Sequence, residues 1–90
     1  MSITVTCYIS SRRPEEAEIR EELAALVKSL DGILVEISIE EDAELLRQFS
    51  GKTPVLRSGP FTLTYPFTIS DAEVMIRTAA QRASTLSDEK

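Results

Sequence analysis

ITVTCYISSRRPEEAEIREELAALVKSLDGILVEISI, residues 3–39, is the stretch that decides the fold. Its start alternates, with Ile3, Val5, Cys7 and Ile9 on one face and Thr4, Thr6 and Tyr8 on the other. A period of two carried by β-branched residues predicts a strand. Ser10-Ser11-Arg12-Arg13-Pro14 follows as a turn into a helix, whose first turn tolerates proline because its N–H is unpaired there anyway. Glu15 and Glu16 complement the positive end of the helix dipole. Ile19, Leu23, Leu26, Val27 and Leu30 recur at helical spacing, flanked by Ala17 and Ala24, and Asp31-Gly32 ends the helix. A second strand begins at Ile33, with Ile33, Val35, Ile37 and Ile39 on one face and Leu34 on the other. Strand, helix, strand at this length is a right-handed βαβ unit with parallel strands.

Downstream, Glu40 to Phe49 carries Ala43, Leu45, Leu46 and Phe49, a short helix closed by Ser50-Gly51. A third strand starts at Thr53-Pro54-Val55-Leu56. Arg57-Ser58-Gly59-Pro60 is turn chemistry, and Phe61 to Tyr65 alternates again, which predicts an antiparallel hairpin. Ser70-Asp71-Ala72-Glu73 matches a capping box, with Ser70 as N-cap. The helix it opens, carrying Val74, Ile76, Ala79 and Ala80, is expected to end near Ala83. The expected order is β-α-β-α-β-β-α in an α/β protein with a mixed four-stranded sheet and flanking helices. A ferredoxin-like arrangement would need a strand after the last helix, and none is visible.

Ninety residues suffice for one core, burying roughly 60–65% of the unfolded surface. A net charge of −5 opposes nucleic acid or an anionic membrane as partner, since both are bound through summed positive charge. No apolar run approaches the ~20 residues of a membrane span, and no signal-peptide pattern opens the chain, so a cytoplasmic location is expected. The chain has no histidine and one cysteine. Ser-His-Asp and Cys-His catalysis are thereby excluded, and no metal site is expected.

Asp42-Ala43-Glu44-Leu45 and Gly51-Lys52-Thr53-Pro54-Val55-Leu56, placed after a βαβα pattern and followed by Tyr65-Pro66-Phe67, resemble the small glutaredoxin-like proteins of the thioredoxin superfamily. The resemblance covers about residues 3–83. It implies a thioredoxin-like fold over residues 1–84; residues 85–90 are expected, from their polarity, to be a frayed tail. It also implies a cis bond before Pro54, with the Thr53 backbone facing an extended ligand; a trans proline at a strand's first residue is the alternative.

The departure from the family is as informative as the match. Aligned on Glu15-Glu16-Ala17, the two cysteine positions of the family's Cys-x-x-Cys fall on Ser11 and Pro14. Dithiol exchange needs a thiolate, and serine supplies none. Cys7, mid-strand on an apolar face, is expected to be a small buried residue. The resemblance implies Ser11, Thr53, Pro54, Ser70 and Asp71 as binding candidates, and the basic residues Arg12, Arg13 and Lys52 join them. Arg12, Arg13 and Lys52 beside a helix N-terminus suit an anion, or are solvated cations balanced by Glu15 and Glu16. The resemblance implies a peptide- or protein-binding module without dithiol redox activity. The alternative it implies is a protein that binds glutathione or another anion, with Ser11 activating the thiol in a transferase-like reaction.

Overall fold

A computed structural model describes the backbone of residues 3–88 and the side chains of residues 3–82. It is an α/β structure with three helices and one mixed sheet of four strands. The strands are β1 (Thr4–Ile9), β2 (Ile33–Ser38), β3 (Val55–Ser58) and β4 (Phe61–Thr64), in spatial order β2-β1-β3-β4. The helices are α1 (Glu16–Ser29), α2 (Ala43–Phe49) and α3 (Ile69–Asp88), with a 3-10 turn at Ile39–Glu41 before α2. β1 pairs parallel with β2, matching Val5 to Leu34 and Ile9 to Ser38. It pairs antiparallel with β3, which forms the hairpin with β4.

Register decides which side chains make the core. Val5 and Cys7 of β1 and Leu56 of β3 share one face and are fully buried under Leu23 and Val27 of α1 and Ile76 of α3. The helical stripe of α1 lands as its spacing predicts, with Ile19, Leu26 and Leu30 at the rim of this core. In β2, however, the parallel register puts the isolated Leu34 on the packed side. The longer apolar set faces the other way, leaving Ile33 53% and Val35 40% exposed. Tyr8, also on that second face, stacks on Phe49 of α2 with ring centroids 5.0 Å apart. Thus α2 sits opposite α1 and α3.

Local expectations are corrected at the last helix and at Glu40 to Phe49, while Asp31-Gly32 ends α1 as expected. The last helix begins one residue before Ser70, so Ser70 is not its cap. Thr68 is: its hydroxyl accepts from Asp71 N–H at 3.1 Å while Asp71 accepts from Thr68 N–H at 3.2 Å. Thr68 and Asp71 have the same capping-box spacing as Ser70 and Glu73, and the earlier box wins. Glu73 instead pairs with Arg77 one turn on, and α3 continues past Ala83 to Asp88. At the end of α1 the left-handed residue is Asp31, with φ 60°, and Gly32 is needed for closeness. A Cβ there would lie 2.9 Å from the carbonyl oxygen of Ile3, where β2 joins β1. Finally, the segment from Glu40 to Phe49 is broken by Asp42, which leaves helical geometry to accept the Glu44 N–H at 2.8 Å.

Candidate functional site

The loop between β1 and α1, where the resemblance would place a redox dithiol, contains an ordered polar cluster. Because β1 and β2 are parallel and in register, their C-terminal ends lie side by side. Ser10 and Ser11 therefore meet the residues just after β2. Glu40 is the centre. Its carboxylate accepts from the Ser10 hydroxyl at 2.5 Å, the Ser11 N–H at 3.0 Å and the Ser38 hydroxyl at 3.0 Å, with the Ser11 hydroxyl at 3.4 Å. These donors, Ser10 first and the Ser11 amide next, pull the Glu40 carboxyl down to about 2. Ser10 also accepts from Arg12 N–H at 3.2 Å, which tightens the turn.

A second carboxylate closes the inner side. Glu16, in the first turn of α1, is 2% exposed and accepts the Ser10 N–H at 3.0 Å. Its other oxygen faces Arg13 Nε at 3.9 Å. Arg13 lies 3.3 Å from Glu15 by the same nitrogen and covers the Tyr65 ring, its guanidinium carbon 5.6 Å from the centroid. Tyr65 N–H in turn donates to the carbonyl of Pro54 at 3.1 Å. Loop, hairpin end and proline are thus joined through Arg13 and Tyr65.

The expected site residues separate into groups. Ser11, Arg12 and Arg13 share the loop, but its Ser10 and Ser11 N–H groups are taken by Glu16 and Glu40. Thr53 and Pro54 stand at the entry to β3 with a cis bond between them. Both are fully buried, so the Thr53 backbone faces protein and not an open groove. Its hydroxyl has no hydrogen-bond partner among the described residues. Lys52 is exposed in the turn after α2 and makes no ion pair among the described residues. Ser70 is exposed on α3, and the Asp71 carboxylate is engaged at the helix start. A second cis bond, Tyr65–Pro66, lies beside the first through the Tyr65–Pro54 hydrogen bond.

Glu16, Ser38 and Glu40 went unrecognised as partners of the serine loop. The available signal was the βαβ unit itself, which makes the residues after both strands neighbours. Cys7 offers no alternative chemistry. It is fully buried in β1, and burial, aided by Glu36 and Glu16, pushes its thiol up to about 12. Among the described residues, no group of three or more Cys, Asp or Glu side chains could hold a metal, and no helix is long and apolar enough to cross a membrane.

Compared with protein-family models, with curated proteins and with solved structures, the chain matches none.

Proposed function

We propose that this chain is a glutaredoxin-like, thioredoxin-fold domain without dithiol chemistry, working as a peptide- or protein-binding module. The strand order β2-β1-β3-β4 supports the fold assignment. So do the parallel β1–β2 pair, the β3–β4 hairpin and the placement of α2 opposite α1 and α3. The observation that carries the functional reading is the Glu40 cluster. In the loop that would hold a reactive thiol, two serine hydroxyls donate to a carboxylate of the same chain. A carboxylate pulled down to about 2 is too weak a base to activate either hydroxyl, and the one thiol is sealed in the core. Exposed aliphatic side chains on β2, by contrast, suit contact with another chain.

One observation favours a second reading, in which the loop binds glutathione or another carboxylate. The same donors already hold a carboxylate, that of Glu40, so an external one would compete for them.

Backbone amide NMR with reduced glutathione separates the two. The module reading expects no shifts in the wild-type protein up to millimolar ligand, and no conversion of a model electrophile. Shifts confined to Ser10–Arg13, growing in Glu40→Ala, would favour the second reading. Glutathione-dependent turnover that disappears in Ser11→Ala would overturn the module reading outright.

A further inference from the structure

We infer that the module's partner at the β2 edge is a second copy of this chain, joined by antiparallel β2–β2 pairing with α1 packed on α1. The inference rests on the binding-module reading and adds to it the surface and the occupant.

β2 is an edge strand, bonded to β1 on one side only. Ile33 N–H donates to the Ile3 carbonyl at 2.7 Å, so Ile33, Val35 and Ile37 direct their backbone groups inward to β1. Alternation then turns the N–H and C=O of Leu34, Glu36 and Ser38 outward to the free edge. The strand has none of the usual guards against pairing: no proline, no lysine and no bulge. Its one charge, Glu36, is neutralised within the chain by a two-pronged contact from Arg20, at 2.8 and 3.0 Å.

A twofold axis through Val35 satisfies the outward groups of Leu34 and Glu36. Leu34 and the second copy's Glu36 become a hydrogen-bonded pair, as do Glu36 and the second copy's Leu34. Val35 then meets the second copy's Val35, and Ile33 meets the second copy's Ile37. These are non-hydrogen-bonded pairs, in which side chains approach most closely. The side chains half exposed on the monomer form one continuous aliphatic stripe.

The helix layer obeys the same axis. α1 packs on β2, and Ala17, Arg20, Glu21 and Ala24 line a groove with Glu36 along the strand's outer side. Val35 lies one strand residue from Glu36, a step equal to about two helical residues, which sets the axis near the middle of α1. Because α1 packs on β1 as well as on β2, its line lies between the two strands, about 5 Å from such an axis. With strands about 4.8 Å apart, the two helices would then lie roughly 10 Å from each other, a normal packing distance. Ala17, Glu21, Ala24 and Lys28 form an exposed stripe at helical spacing. Run antiparallel about the axis, this stripe is complementary to itself. Side chains lean toward their own helix N-terminus, so Lys28 and the second copy's Glu21 converge, twice. Glu40, the acidic group nearest the end of β2, is turned away onto Ser10 and Ser11.

Sedimentation equilibrium of the full chain tests this. The wild type should sediment at twice the 10.0 kDa of one chain, and Val35→Lys at 10.0 kDa with an unchanged circular dichroism spectrum. Amide exchange at Leu34 and Glu36 should be slow in the first and fast in the second. Lys28→Glu should weaken association roughly tenfold by opposing like charges, and adding Glu21→Lys should restore it. A wild type that stays at 10.0 kDa up to millimolar concentration overturns the inference, as does a dimer indifferent to Val35→Lys. Failure of the module reading looks different: glutathione turnover, whatever the mass.

Discussion

The two faces of the sheet receive similar aliphatic residues and treat them differently. Under α1 and α3, Val5, Cys7 and Leu56 are fully buried. On the opposite face, Ile33 and Val35 keep about half of their surface in solvent. The cause is the length and placement of the covering helices. α1 has 14 residues and α3 has 20, whereas α2 has seven and reaches the sheet where Phe49 meets Tyr8. No residue of α2 is buried, and Leu46 is 37% exposed. An apolar strand face is therefore a core face only if something long enough lies over it.

The largest effect should come from the closed face. Leu56→Ala removes a fully buried side chain that touches both helices' layer, and should cost about 2–5 kcal/mol in urea unfolding. Val35→Ala, measured on the monomer, should cost no more than about 1 kcal/mol, because much of that side chain is already in water. Equal costs would break the contrast between the faces.

Cys7 sharpens it through pH. The closed face holds its thiol neutral, with a pKa raised from 9.0 to about 12. Below pH 9 both folded and unfolded chains keep the proton, and this contribution to stability is complete. Between 9 and about 12 only the unfolded chain releases it, so stability falls as pH rises, by about 1.4 kcal/mol per pH unit. Cys7→Ala should lack that slope when unfolding is followed across the same range. Identical slopes would mean that solvent reaches the thiol in the folded protein.

Much of this arrangement was legible in residues 3–39. Alternation in β1, the stripe on α1 and the length of the crossover predict the parallel pair and its first helix, because each rests on local periodicity. What alternation does not carry is which face a helix will cover. For β2 the larger apolar set, Ile33, Val35 and Ile37, took the open side, as the register with Val5 and Cys7 required. The cap of α3 was ambiguous for a different reason: two boxes with the same spacing compete, and the reciprocal Thr68–Asp71 hydrogen bonds show that the earlier one is taken. At the serine loop, the residue types pointed to an anion. That the anion is Glu40, 29 residues beyond Ser11, is a consequence of tertiary structure.

The most local effect probes the thin lid itself. α2 is held to the sheet by the Tyr8–Phe49 stack, at 5.0 Å and an interplanar angle of 26°, and by the turn that precedes it. Phe49→Leu keeps an apolar side chain and removes the ring pair, so the expected loss is about 0.5–1.5 kcal/mol. The more telling readout is local. Amide exchange should accelerate through Ala43–Phe49 while α1 and α3 keep their protection, since their contacts lie on the other face. A loss as large as that of Leu56→Ala, or exchange that rises everywhere together, would mean that α2 unfolds only with the core. In that case the open face is open in area but not in energy, and its exposed isoleucine and valine belong to a sheet as rigid as the buried one.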